Sequence, residues 1–381
     1  MGFLKLLIII WLLSILFISG CAASLIKTSV HNDTDPYSTF GRTTAREFFI
    51  DDHISDSLHL KWQNDVFGSF NNSSVVITDS LVFINDLSGR IFCFHTKDGK
   101  RIGQLKNDGA VFTSPYINKF NIIYAVADDK ENISRLRYYN FSEGKMKNDI
   151  EVKGRCVTQI IGFPEGIIFN TEDGNVYRYD MNGNEVWQTK TSSVVHSSPS
   201  MQDNIIVFGN DEGEILGVDS EKGKLIYREK IGESFFGGSS ISGTKAYIGN
   251  DNGNLYCIDI HSGDIVWKFN SLARIVMVPN VTDSKIYFGN LSGDLFCLNK
   301  SDGSLIWKTS TDGILDATPY AAENLLVVPD LNKKFYFVNA ANGKIEKTFM
   351  VDGRSKLSPV IFRNLLFIGF DKGELQAYEF K

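Results

Sequence analysis

The sequence predicts an all-β fold: an eight-bladed β-propeller of four-stranded antiparallel blades, its ring closed by strands from both termini. Three observations predict it. Residues 247–267 recur at 287–307, with Gly249, Gly253, Leu255, Cys257, Gly263 and Trp267 falling on Gly289, Gly293, Leu295, Cys297, Gly303 and Trp307. A period near forty residues, with short apolar alternations between turn glycines, is how a propeller blade reads in sequence. Composition agrees: 12% of residues are aromatic, and 33 glycines stand against 8 prolines, which suits strands joined by tight hairpins. Finally, the two ends complement each other. Residues 60–62 (Leu-Lys-Trp) look like the end of a blade with no beginning, and 367–378 look like a blade without its last strand. Joined, they close the ring and remove its open sheet edges.

Taken in order, residues 1–20 read as a signal peptide. Lys5 is a thin positive start and 6–17 is an apolar run broken only by Ser14. The run is short for a bilayer span, which takes about 20 apolar residues; an uncleaved anchor is the alternative. Ile18-Ser19-Gly20-Cys21 follows and resembles the bacterial lipobox. That resemblance implies acylation of the Cys21 thiol and cleavage before it. Ala22 and Ala23 come next, without an Asp, which by resemblance to bacterial sorting rules implies the periplasmic face of the outer membrane. In a cell with one membrane the chain would stay on the outer surface. Residues 21–57 lack repeat character and read as a lipidated N-terminus and tether, with the few apolar residues near 48–50 packing on the outside of the ring. Asp51-Asp52-His53 reads as a solvated loop, since no further metal ligand lies at useful spacing.

Residues 58–381 are the propeller. Units start near 75, 115, 160, 199, 239, 279, 319 and 359, and the strand at Trp62 completes the last one. The unit at 115–147 is degenerate, with Asp128-Asp129-Lys130 where others carry a turn glycine. Gly213, Gly253, Gly293 and Gly373 sit at the first tight turn, where φ must be positive. Leu255 and Cys257 share one face of a strand and Tyr256 and Ile258 the other. Both faces are apolar because blades stack on both sides of each sheet. Asp219, Asp259, Asn299 and Asn339 recur at one position and read as turn-capping Asx residues.

The repeat Gly-x-Leu-x-Cys-Leu/Ile-Asp/Asn-x-x-x-Gly-x-x-x-Trp resembles that of the pyrroloquinoline-quinone-like propellers, over residues 58 to the end. The resemblance implies that Trp62, Trp187, Trp267 and Trp307 dock between blades beside a small third-strand residue. Ala377 keeps the usual Ala there, Cys93, Cys257 and Cys297 replace it, and Gly217 is smaller still. The superfamily holds two classes: quinone-dependent dehydrogenases, and lipoprotein scaffolds of outer-membrane β-barrel assembly. Length, lipobox, tether and a propeller without added domains resemble the second. That implies a non-catalytic scaffold, tethered by its lipid, whose protein partner is a BamA-like component of a barrel-assembly complex. In that class the loop after the third full blade contacts the partner. The matching stretch is 192–199, so Val194, Val195 and His196 are the candidate contacts, although the Arg of that class is missing.

Other functions find little support. A net charge of −6 without a basic stripe argues against nucleic acid. The five cysteines match neither a disulfide framework nor Cys-x-x-Cys. The six histidines are scattered, and Gly-x-Ser-x-Gly, His-Glu-x-x-His and Walker motifs are missing. No catalytic residue, metal ligand or cofactor is therefore expected. The quinone enzymes imply adjacent cysteines and long insertions, which this chain lacks. Two readings stay open behind the scaffold: an envelope lipoprotein binding another protein, a peptide or a sugar, and last a quinone-dependent dehydrogenase. Specificity is expected where the copies disagree, at 115–147, 194–196, 235–236 and 272–277.

Overall fold

The computed structural model describes residues 24–29, 37–66, 68–191, 194–371 and 373–381. The signal segment 1–20 and Cys21 lie outside the described residues, as do Ser192 and Ser193. Among the described residues the chain forms eight four-stranded antiparallel sheets, each built from strands consecutive in sequence except one. Blade 4 is representative: Ser200–Gln202 innermost, then Ile205–Gly209, Glu214–Asp219 and, outermost, Leu225–Lys230. Blade 8 is the exception. Val360–Phe362, Leu365–Phe370 and Glu374–Phe380 receive Leu58–Asp65 as their outer strand, with Trp62 opposite Ala377. The ring therefore closes by pairing its two ends.

The periodic residues hold each blade and join it to the next. Asn250 Oδ1 accepts the N–H groups of Asn252 and Asn254 at 3.1 and 3.0 Å, which shapes the first turn of blade 5. Gly253 follows at φ +75°, and a Cβ there would lie 2.6 Å from the Ala273 carbonyl oxygen. Gly213, Gly293 and Gly373 stand at φ +76°, +84° and +76°. Trp62, Trp187, Trp267 and Trp307 each donate Nε1–H to a carbonyl in the following blade: Thr96, Ser220, Lys300 and Ala340, at 2.9, 2.9, 3.2 and 3.3 Å. The following blade's second turn glycine lies flat on the indole: Gly99, Gly223, Gly303 and Gly343. Ala377, Cys257 and Cys297 face Trp62, Trp267 and Trp307 across the strand pair, as expected of a small residue beside the indole, whereas Trp187 stands opposite the long Arg178. The four described cysteines are free and buried.

Blade 1 departs from this scheme. Gly103 stands opposite Cys93, where blades 3 to 6 and 8 carry Trp or Tyr and blades 2 and 7 carry Asn148 and Lys347. Residues 24–29 fill the gap. Gln104 N–H donates to Ser24 O at 2.9 Å, Tyr139 Oη–H to Ile26 O at 2.8 Å, and Thr28 N–H to Phe141 O at 3.0 Å. Ile26 is wholly buried between blades 1 and 2. This short segment is a strap that takes the place of the missing indole.

The region expected as a tether along the outside of the ring is placed differently: residues 37–54 cross the ring's centre. Tyr37 pairs with Ile77 of blade 1, and Ile117 N–H of blade 2 donates to Ser38 O. Met201 and Ile241 N–H groups, from blades 4 and 5, reach Thr44 O and Ala45 O. Asn280 of blade 6 and Ala321 of blade 7 both donate to Phe48 O. Arg46 is buried at the centre, where its guanidinium donates to Phe40 O at 2.7 Å, Ile160 O at 3.0 Å and Pro199 O at 3.1 Å. Burial lowers its pKa to about 9, which leaves it charged at neutral pH. The physical reason for the placement is plain. The innermost strands splay from a central hole whose inward polar groups need partners, and Tyr37, Phe40 and Phe48 bring apolar surface that is better buried than hydrated. The segment enters from the face that carries the turns between inner and second strands, with Ile54 N–H on Asn324 Oδ1 and Glu323 N–H on Asp52 O.

Candidate functional site: the central funnel and its rim

With one mouth of the channel plugged, the other opens as a blind funnel of about 550 Å³ whose lining includes Phe40 of the plug. Its walls come from the connections that lead from each outer strand to the next inner strand. In seven of the eight connections one residue recurs at the same place, three or four positions ahead of the inner strand: Asn72, Phe112, Val157, His196, Phe236, Val276 and Asp316 all line the funnel. Two residues further on, Gln159, Ser198, Gly238 and Val278 also line it. The alternation arises because extended backbone points every second side chain the same way.

Across blades 2 to 5 the rim carries a chain of charged contacts. Arg155 bridges Asp129 at 2.7 Å and Glu172 at 2.8 Å. Glu172 also meets His196 Nε2 at 3.0 Å, and His196 Nδ1 meets Asp211 at 2.8 Å. The carboxylates accept only, so each ring nitrogen serves as a donor when it carries hydrogen. The imidazole stacks on Phe236, with ring centres 5.1 Å apart, and Arg274 lies over the same phenyl ring, at 5.3 Å. Arg274 Nε bonds Asp251 at 3.0 Å. These half-exposed pairs add little to stability; they hold aromatic and charged groups in fixed places. On the other wall Asp316 has its carboxyl pKa raised by burial, partly offset by Lys356. Among the described residues no group of three His, Cys, Asp or Glu is arranged to hold a metal ion.

The three candidate contacts separate. His196 belongs to the rim network. Val194 is partly exposed beside it, and its carbonyl accepts Asp211 N–H. Val195 is corrected: it is wholly buried between blades 3 and 4, with its N–H on Glu172 O, and has no surface to offer a partner. Phe236 lines the funnel, while Phe235 is core. Leu272 is 89% exposed on the rim, and Arg274 and Val276 face inward. Sequence reasoning missed Phe112, Arg155, Glu172, Asp211 and Asp316. The signal for Phe112 and Asp316 was present: His196, Phe236, Val276 and Asp316 are spaced by the repeat itself, yet share no chemistry. A position where the copies agree on backbone and disagree on side chain faces something other than the core.

Comparison with known proteins places the chain. A family profile described as the outer membrane protein assembly factor BamB matches residues 119–268, 211–289 and 251–381. No curated protein matches the sequence significantly. Among solved structures, BamB from Moraxella catarrhalis superposes with a TM-score of 0.71 at 14% identity, covering 85% of this chain and 100% of that one. The computationally designed Ika8 protein gives 0.72 at 12% identity, covering 83% and 98%. Quinohemoprotein alcohol dehydrogenase from Comamonas testosteroni gives 0.75 at 10% identity, covering 92% and 81%. At such identities the structural matches speak to fold alone.

Proposed function

The chain belongs to the family of the outer membrane protein assembly factor BamB, and on that premise we propose that it is a membrane-tethered, non-catalytic scaffold. Its funnel rim binds a protein partner, a BamA-like component of an outer-membrane β-barrel assembly complex, and acylated Cys21 holds it at the periplasmic face of the outer membrane. One observation carries the reading. The ring of residues at one repeat position is chemically mixed, running through Asn72, Phe112, Val157, His196, Phe236, Val276 and Asp316. Around it Val194, Leu272 and Ile314 expose aliphatic surface. Aromatic and aliphatic anchors among fixed charged groups are what a protein interface uses.

The quinone-enzyme reading has the same fold behind it, so the funnel's donors must decide. Pyrroloquinoline quinone is a tricarboxylate that works with a calcium ion, which takes six or more oxygen ligands. Arg155 and Arg274, the funnel arginines, are already matched to Asp129, Glu172 and Asp251. Asp316 stands apart from those carboxylates, on the opposite wall. These residues do not fit the group.

The direct test is affinity capture of the acylated chain from membranes. Recovery of a barrel-assembly component, lost on Phe236→Ala with Leu272→Asp, supports the scaffold. Capture of a different envelope protein, equally sensitive to those changes, would keep the rim and replace the partner.

A further inference from the structure

The strap that replaces the indole of blade 1 also fixes where the chain leaves the ring. Ser24 is bonded to the outer strand Arg101–Lys106, and Thr28 to the turn after Ile133–Asn140. Only two residues separate Ser24 from Cys21. At roughly 3.5 Å per residue, a group on Cys21 can lie no further than about 11 Å from that bonded edge. The surface around it differs from the rest of the chain. Lys27, Lys97, Lys100, Arg101, Lys145 and Lys147 are exposed there, against the carboxylates Asp98 and Glu143, on a chain whose net charge is −6. Leu25 and Met146 add exposed apolar side chains, 59% and 41% exposed. The Lys27 side chain lies against Gly144, so strap and turn form one continuous surface. This edge is on the plugged face, away from the funnel mouth.

We propose that the strap edge of blades 1 and 2 is a docking surface for an anionic phospholipid bilayer. A lipid surface is the occupant that the short leash brings within reach, and clustered Lys with adjacent apolar side chains match its charge and its boundary. The strap edge then rests on the lipid, and the funnel rim stays open to partners. This builds on the tethered reading, but has its own test.

The full chain is bound to vesicles of phosphatidylcholine mixed with phosphatidylglycerol, and separately to phosphatidylcholine alone. A fluorescent amino acid stands at position 146 or, in a second variant, at position 272, and spin-labelled head groups act as quencher. The expected result is quenching at 146 and little at 272, only where phosphatidylglycerol is present. Lys27→Gln, Lys100→Gln and Lys145→Gln should each reduce the docked fraction about fivefold, while the chain still floats with the vesicles. Equal quenching at both positions, or quenching indifferent to phosphatidylglycerol and to the three lysines, overturns the docking surface and leaves the tether standing. A chain that floats with neither vesicle overturns both.

Discussion

The backbone N–H of Thr28 donates to Phe141 O at 3.0 Å, and the indole N–H of Trp62 donates to Thr96 O at 2.9 Å. Both acceptors directly follow the third strand of a blade, so the two bonds are the same inter-blade link made by different donors. Ile26 supplies the apolar bulk that the indole supplies elsewhere. Ile26→Ala is expected to cost about 2–4 kcal/mol, read as a lower urea midpoint. Gly103→Trp restores the usual residue but meets the Leu25 carbonyl, 2.6 Å from where its Cβ would stand. It should expel the strap and expose residues 24–29 to protease without unfolding the ring.

Gly253 and Gly243 separate conformational strain from collision. Gly253 is at φ +75° with Ala273 backbone within 2.6 Å of an added Cβ, whereas Gly243 is at φ +60° in open space. Valine at either position incurs strain of about 1–3 kcal/mol. Gly253→Val should cost clearly more than Gly243→Val in the same denaturation series.

Arg46 is the keystone of the plug. Arg46→Met removes a charged donor from four backbone carbonyls, those of Phe40, Gln159, Ile160 and Pro199, and leaves them buried, an expected loss of about 2–4 kcal/mol. Arg46→Lys should not rescue it, because an ammonium cannot reproduce the planar fork that reaches Phe40, Ile160 and Pro199 together. Hydrogen exchange should show amides of 37–50 losing protection before those of the blades.

Alkali should unfold the protein cooperatively. Burial raises the phenol pKa of Tyr138, Tyr227, Tyr247, Tyr287 and Tyr336 above the ordinary value of 10, and pushes Tyr177 and Tyr378 up to about 12. The folded state then holds protons that the unfolded chain gives up. This contribution is full below pH 10 and falls away as pH rises from there through about 12 and beyond. Circular dichroism against pH should show stability steady to about pH 10 and falling steeply above it. A fall centred near pH 8 would contradict this.

Much of the ring was legible because its residues act locally and repeat. Gly253, Cys257 and Trp267 each have a twin forty residues on, and their turn, packing and docking roles follow from spacing. What stayed hidden were contacts made once. Arg46 binds carbonyls more than a hundred residues away, and nothing around it in sequence announces that. Ile26 replaces an indole at a distance, which the lone Gly103 hints at only once its register is known. At the rim, His196 and Phe236 could be singled out, but Arg155, Glu172 and Asp211 become neighbours only when blades 3 and 4 stack. Val194 and Val195 are alike in sequence, and only the alternation of the backbone between blades 3 and 4 sends Val195 into the core.

Whether the funnel rim is the partner-binding surface can be read by site-specific photocrosslinking in intact cells. A photoreactive amino acid at Phe236 or Leu272 should capture one barrel-assembly component, and the same probe at Met350 on an outer strand should not. If the rim positions capture nothing, or the outer-strand position captures the same partner as efficiently, the rim is not the binding surface.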